Sequence, residues 1–223
     1  MKVRGFVVSK DNIQQQFKQV FPAERIHAIR ALIDFAYESA DALYQYQPNE
    51  RMYNLLQETK VGKGIWADIL RASIACAAKM FCKKGVLPYI FKTPMNCARN
   101  CHHVKLCDEN IQLYFARTQY QKDMPRKALY RGSDMFQQNL FCETFDLRKI
   151  STFAATYGDG GDHVFQYGRI GIPGEKAWIY SEPLKAGAYR YPTKQEKTEI
   201  LVQLNEEFRK QLRRDEKNNG GVE

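Results

Sequence analysis

A cluster of cysteine and histidine side chains falls within eleven residues, at Cys97, Cys101, His102, His103 and Cys107. Thiolate and imidazole ligands that are brought together by short spacings form zinc sites. In closed structural sites, two residues more often separate the paired thiols, and no second pair of ligands follows at the distance of a zinc finger. His103 and Cys107 lie on a predicted strand, where alternate residues share a face, but Cys101 and His102 need not join them there. We therefore expect no cofactor, and zinc at Cys97, Cys101, His103 and Cys107 stays open as an alternative.

Two acidic residues suit the chemistry of metal-dependent nucleases. Asp108 and Glu109 lie between two predicted strands, where carboxylates of such enzymes hold the divalent ion that activates water. The following strand, 111–117, lacks the acid-x-lysine pair that would complete the site. A nuclease that uses Mg²⁺, with Asp108 and Glu109 as its catalytic residues, is therefore the alternative function, and whether the protein is an enzyme stays open.

A glycine-rich segment, 158–163, places Asp159, Asp162 and His163 around three glycines. Carboxylate oxygens and an imidazole in a short loop can hold a divalent ion. The same composition is also typical of a hairpin connection. The segment lacks the length and the distal glutamate of a calcium loop, so the hairpin interpretation needs no metal.

The positive charge is concentrated in one part of the chain. The net charge is +9, and residues 60–105 contain nine basic residues against one acid. The basic side chains that we expect to contact a polyanion in this window are Lys63, Lys79, Lys83 and Lys84. A basic surface of this kind attracts nucleic acid, although an acidic protein partner or a merely solubilising face would also explain it. Lysines in the last turns of a helix also suit the helix dipole.

A second basic group lies at Arg126, Lys127 and Arg131, with Tyr130 beside it. Arginine and tyrosine together suit phosphate contact and base stacking. A proline-started connection with solvated side chains would have the same composition. We include these three basic residues in the predicted nucleic-acid surface.

Apolar spacing at three- and four-residue steps predicts helices at 10–20, 24–47, 64–83 and 194–214. In the helix at 64–83, Ile65, Ile69, Ile74 and Phe81 mark the predicted buried side. Gly85 is the predicted C-terminal stop.

The period then changes to two, which predicts strands. They are expected at 87–91, 103–106, 111–115, 152–157, 164–172 and 177–180. The fold class is therefore α+β, with helices followed by an antiparallel or mixed sheet of about six strands and a C-terminal helix. We expect a single domain over residues 1–217 and a frayed tail over 218–223.

Composition and cysteine usage indicate a folded protein of the cytoplasm. Hydrophobic residues make up 44% of the chain, which is enough for a core. The first residues lack the apolar region of a secretory signal, and no apolar run reaches the length of a membrane span, so we expect no membrane contact. The six cysteines are expected to be reduced thiols. The oligomeric state stays open.

Three segments resemble a group of uncharacterised proteins from bacterial genomes and mobile elements, including prophages. They are 101–106 (CHHVKL), 124–131 (MPRKALYR), and Gly171-Ile-Pro173 followed by Trp178. The resemblance implies a bacterial or phage setting, in a defence or toxin–antitoxin locus, and it transfers no functional residue. Together with the charge, it leads us to expect a non-enzymatic nucleic-acid-binding protein, with a nuclease or a protein-partner module as the alternatives.

Overall fold

The computed structural model describes residues 10–45, 60–95, 102–108, 111–125, 152–174 and 177–185. These residues belong to one compact unit. The described residues form three helices: α1 (Lys10–Val20), α2 (Ala23–Gln45) and α3 (Lys60–Lys83). The predicted C-terminal helix at 194–214 and the tail at 218–223 lie outside the described residues.

Six strands follow the helices, each overlapping or adjoining the predicted one. They are β1 (Ile90–Lys92), β2 (Lys105–Cys107), β3 (Gln112–Arg117), β4 (Thr152–Gly158), β5 (Tyr167–Pro173) and β6 (Trp178–Pro183). The strands form one sheet in chain order. All neighbours are antiparallel except β3 and β4, which run parallel. The sheet is therefore mixed, and the predicted α+β class is confirmed.

The helical layer packs on one face of the sheet through aromatic side chains. The ring of Phe153 on β4 lies 4.9 Å from that of Phe21, and Phe17 on α1 lies 5.0 Å from Tyr180 on β6. Tyr37 on α2 meets Tyr157 on β4 edge to face at 6.2 Å. Aromatic pairs in these arrangements add to the stabilisation that burial gives. This packing places α2 and α3 over the end of β4.

Local sequence signals explain where α2 and α3 begin and end. The carbonyl of Pro22 accepts hydrogen bonds from the first turn of α2, where proline is well suited because its missing N–H has no helical acceptor. At the end of α3, Gly85 has φ 72°. Its N–H donates to the carbonyl of Cys82, and that of Val86 donates to the carbonyl of Phe81. This pair of bonds is a Schellman motif, so the predicted stop at Gly85 is confirmed.

The buried side of α3 agrees with the predicted one at Ile74 and Phe81 and differs from it at the N-terminal end of the helix. Trp66, Leu70, Ile74 and Phe81 are buried, whereas Ile65 is 37% exposed. Ile65 is therefore not a core residue, and the prediction was wrong at this position. Residues one apart on a helix differ by about 100° in direction, and the bulk of Trp66 occupies the inner face. Trp66 consequently points toward the sheet, at the site described next.

Candidate functional site

The predicted basic surface is exposed where the structure describes it. Lys79, Lys83 and Lys84 are all exposed, at the C-terminal end of α3. Lys79 and Lys83 are one helical turn apart and lie on the same side of the helix. We call these three residues the α3 lysine cluster. Lys92 on β1, which packs against α3, is also exposed.

The other predicted nucleic-acid residues are not part of this surface in the described structure. Lys63 belongs to the first turn of α3, at the opposite end from the cluster. Arg126, Lys127 and Arg131 lie outside the described residues. Their participation therefore stays a prediction.

Asp108 closes the turn between β2 and β3. Its carboxylate accepts a hydrogen bond of 2.7 Å from the backbone N–H of Ile111, and its own N–H donates to the carbonyl of Ile111 at 3.0 Å. Aspartate side chains commonly stabilise turns in this way. The contact gives Asp108 a structural role, while Glu109 lies outside the described residues.

The described cysteine and histidine residues do not converge on one point. The pairs Ile90–Cys107 and Met95–His102 keep the same register, so the chain from His102 to Cys107 runs extended. His103 and Cys107 are then about 13 Å apart at a rise of about 3.3 Å per residue. That separation is too long for both to ligate one zinc ion. Cys97 and Cys101 lie outside the described residues, and the described ranges contain no group of three metal-ligating side chains.

Cys76, Cys82 and Cys107 form no disulfide among the described residues, and the reduced state of the six cysteines stays a prediction. Cys82 is half-buried on α3, and burial raises the pKa of its thiol to about 11. A thiol with so high a pKa is a poor nucleophile at neutral pH, because the thiolate is the reactive form.

A second site, which the sequence did not predict as a unit, lies at the carboxyl ends of the parallel strands β3 and β4. Arg117 is the last residue of β3, and Asp159 directly follows β4. The Nη2 atom of Arg117 lies 2.9 and 2.8 Å from the two carboxylate oxygens of Asp159. The Asp159 side chain is 4% exposed and that of Arg117 is 37% exposed. The arginine is therefore held by a buried carboxylate and is itself part-exposed to solvent.

Two further donors complete the surroundings of Asp159. The N–H of Gly161 donates to Oδ1 at 3.1 Å, and Nε1 of Trp66 lies 3.4 Å from Oδ2. The loop adopts this shape because Gly160 and Gly161 take positive φ values of 62° and 107°, which glycine adopts without strain. Since the carboxylate is engaged by Arg117, a cation bound in this loop would compete with the guanidinium group.

The electrostatics of the pair follow from burial and from mutual contact. Burial alone would raise the pKa of Asp159, but the hydrogen bond and charge of Arg117, together with the Gly161 N–H, hold it below its ordinary value. Burial alone would likewise lower the pKa of Arg117, and the contact with Asp159 raises it above the ordinary value. The site therefore contains an ionised pair at neutral pH.

The hydroxyl of Tyr37 is buried next to this pair without a hydrogen-bond partner among the described residues. Tyr37 is 2% exposed. Burial first, and the Asp159 carboxylate second, raise the pKa of this hydroxyl. A buried hydroxyl without a partner costs about 1–3 kcal/mol, so its presence at a charged site calls for an explanation.

Aromatic rings form one wall of the site. The imidazole of His163 stacks on Trp66 with 4.2 Å between ring centroids and an angle of 19°. Tyr44 meets both rings edge to face, at 5.5 Å from Trp66 and 5.4 Å from His163. His163 has a φ of 60°, an uncommon conformation for a residue with a side chain. We call Arg117, Asp159, Tyr37, Trp66 and His163 the β3–β4 polar site.

A shallow hollow of about 510 Å³ lies elsewhere, beside the start of α2, and its lining includes Pro22 and Arg25. The guanidinium of Arg25 is already engaged there. It donates to the carbonyl of Val20 at 2.6 Å and lies over the ring of Tyr89 at 5.4 Å. We assign no ligand to this hollow.

The sequence drew attention to only part of the β3–β4 polar site. Asp159 and His163 belong to the glycine-rich segment that was considered for a metal ion, whereas Arg117, Tyr37 and Trp66 were not proposed as site residues. An arginine at the end of an otherwise apolar strand (QLYFAR) was the available signal. A charged residue at the end of an apolar strand needs either solvent or a partner.

No family model, curated protein sequence or solved structure matches this chain. Within the described ranges, no helix combines the length and the apolar character that crossing a membrane requires. The function must therefore be argued from the surfaces of the molecule itself.

Proposed function

We propose that this protein is a cytoplasmic nucleic-acid-binding protein that does not cleave its ligand and serves a bacterial or phage defence or toxin–antitoxin system. The contact surface is the α3 lysine cluster, with Arg126, Lys127 and Arg131 as further contacts. The setting follows from the resemblance alone. The binding activity is supported by charge and by exposure.

The exposure of the α3 lysine cluster is the observation that carries this proposal. Three exposed lysines lie within six residues at the end of a helix. The acid of this helix, Asp68, lies near its other end and forms an ion pair of 2.9 Å with Arg71. The helix itself therefore places no carboxylate beside the cluster, and exposed positive charge of this kind favours contact with phosphates.

Helix stability does not account for the whole cluster. A basic residue in the last turn interacts favourably with the helix dipole, by about 0.3–1 kcal/mol at an exposed position. Like charges four residues apart, as at Lys79 and Lys83, oppose this by about 0.2–0.5 kcal/mol. The two effects partly cancel, so the helix dipole explains only part of the cluster, and an anionic ligand is our explanation for the remainder.

The test is a salt titration of binding to DNA and RNA. Replacing Lys79, Lys83 and Lys84 by alanine should weaken binding for all sequences alike. The slope of log affinity against log salt concentration should decrease by roughly 0.9 for each lysine that no longer neutralises a phosphate. The control replaces the exposed residues Lys18, Lys122 and Lys185 by alanine, which removes the same charge outside the cluster and should leave most of the binding intact.

Three outcomes would contradict the proposal, each in favour of a different alternative. Equal decreases of affinity in both triple variants would show attraction to net charge without a defined surface. Cleavage of the substrates in Mg²⁺ or Mn²⁺, abolished by Asp108→Ala, would establish the nuclease. Absence of any salt-dependent binding would leave an acidic protein as the partner that explains the basic surface.

A further inference from the structure

The β3–β4 polar site lies at the carboxyl ends of two parallel strands. Among the described strands, β3 and β4 are the only parallel neighbours. After β4 the chain turns back through a hairpin into β5, whereas after β3 it leaves the sheet before β4 begins. Crevices beyond the carboxyl ends of parallel strands, where the chain diverges, are where ligands bind in open sheets.

Arg117 presents unused hydrogen-bond donors at this position. Asp159 engages only Nη2, and among the described residues Nη1 and Nε have no partner. The guanidinium is fixed by a buried carboxylate and is still 37% exposed. A guanidinium group that is fixed by a carboxylate and still part-exposed offers its remaining donors in a planar geometry that matches a carboxylate or phosphate.

The unpartnered hydroxyl of Tyr37 is an independent observation at the same place. It is buried close enough to Asp159 and Arg117 for both charges to influence its pKa. Within the described structure, no hydrogen bond joins the hydroxyl of Tyr37 to the carboxylate of Asp159. An oxygen of a bound molecule would supply the missing acceptor.

The loop that closes the site is held in a strained conformation. His163 keeps a positive φ, and its half-exposed ring lies flat against the buried indole of Trp66. Strained conformations of this kind persist where the surroundings enforce them, and they cluster at ligand sites. The stacked ring leaves one planar face at the rim of the site.

We propose that the β3–β4 polar site binds a small molecule that carries an oxyanion, either a phosphate or a carboxylate. The outward N–H groups of Arg117 contact the oxyanion, and the hydroxyl of Tyr37 donates to an oxygen of the same molecule. Asp159 is a positioning residue, which holds Arg117 and does not touch the ligand. This site is separate from the α3 lysine cluster, because Trp66 and Lys79 are about 20 Å apart along α3 at 1.5 Å per residue.

Calorimetric titration and thermal unfolding of the full chain test this inference. The probes are inorganic phosphate, pyrophosphate, AMP and succinate, each at constant ionic strength up to about 10 mM, which fills a site with a dissociation constant of 1 mM. We expect at least one probe to bind with a stoichiometry of one and to raise the melting temperature. Comparison of AMP with succinate distinguishes a phosphate from a carboxylate ligand.

Two variants test whether the probe binds at the β3–β4 polar site. Tyr37→Phe removes an unpartnered hydroxyl, so the protein should be at least as stable as before while its affinity for the probe falls about tenfold. Arg117→Lys should weaken binding further, because an ammonium group lacks the planar fork of donors. Replacement of Lys79, Lys83 and Lys84 by alanine should leave probe binding unchanged. The oxyanion inference can therefore fail while the nucleic-acid proposal holds, and the reverse is also true.

The result that overturns the inference is equally definite. Either no probe binds in the stated range, or binding is the same in Tyr37→Phe and in Arg117→Lys as in the unchanged protein. Unchanged binding in both variants would mean an adventitious ion only, and the hydroxyl of Tyr37 would then be hydrated by a buried water molecule.

Discussion

The Arg117–Asp159 pair predicts that its two partners contribute unequally to stability. Arg117→Met would leave a carboxylate that is 4% exposed, with the Gly161 N–H and the more distant Trp66 Nε1 as its remaining donors. Breaking a buried ion pair by removing one partner costs about 3–5 kcal/mol. Because two donors remain, we expect the lower end, about 3 kcal/mol of unfolding free energy.

Asp159→Asn should cost less, although it removes the same ion pair. Arg117 is 37% exposed, so its guanidinium can be hydrated when the carboxylate is removed. Charge-assisted hydrogen bonds contribute about 1.5–3 kcal/mol when buried, and solvent reduces that figure at a part-exposed group. We expect a decrease of about 1–2 kcal/mol for this variant, and a smaller decrease for the double variant than the sum of the two single effects.

The pH dependence of the loss of unfolding free energy in Arg117→Met provides a second check on the same reasoning. The pKa of Asp159 is lowered in the folded protein, so its stabilising contribution is complete above the unfolded pKa of about 3.9 and is lost as the pH falls through the folded pKa. In Arg117→Met the buried carboxylate is without its cation, so protonation relieves the folded state. The deficit of that variant should therefore be largest near pH 7 and should shrink toward pH 4.

Urea unfolding at pH 7, 5 and 4, followed by tryptophan fluorescence, measures these free energies. Lys122→Met is the matched control for Arg117→Met, because it removes one exposed positive charge and should change stability by less than about 0.5 kcal/mol. An Asp159→Asn effect equal to or above that of Arg117→Met would refute the reasoning. A deficit of Arg117→Met that is the same at all three pH values would refute it as well.

Further predictions concern two glycines and one thiol. Gly171→Ala should lower the unfolding free energy by about 2 kcal/mol because the added carbon would meet the backbone of Tyr180 and Ser181. At Gly64 an added carbon would have nothing within 4 Å, so Gly64→Ala should raise the unfolding free energy by about 0.5–1 kcal/mol. Equal changes of the unfolding free energy in the two glycine variants, measured by urea unfolding, would contradict both predictions. Burial raises the pKa of Cys82 to about 11, so alkylation at pH 8, followed by mass spectrometry, should be at least about tenfold slower than for an unperturbed thiol. Rapid labelling of Cys82 would show that the thiol is accessible and ionised.

Much of the fold could be predicted from the sequence because its elements carry local signals. Period-two alternation located all six strands, and the helix stop at Gly85 followed from the need for a positive φ. The parallel pairing of β3 with β4 could not be predicted, since it depends on how the chain between them returns to the sheet. The wrong orientation at Ile65 arose because isoleucine and tryptophan are both apolar, and periodicity alone does not rank neighbours.

The β3–β4 polar site was missed for a related reason. Arg117 and Asp159 are 42 residues apart in the chain, and Tyr37 and Trp66 come from helices that precede the sheet. Their proximity is a consequence of the parallel register, which places Arg117 beside Tyr157. The exposed lysines needed no such information, because helical spacing alone predicts which of them share a side.

Helix α3 contributes residues to both proposed sites, and we expect the two sites to bind their ligands independently. Its N-terminal half contributes Trp66 to the polar site, and its last turns carry the α3 lysine cluster. Effects of substitutions separated by more than about 10 Å without shared partners are usually additive, and here the separation along the helix is about 20 Å. A nucleic acid held only by the cluster would therefore bind equally well to Tyr37→Phe. If that variant weakened both nucleic acid and AMP, the polynucleotide would have to reach the polar site as well, and the two surfaces would then form one extended interface.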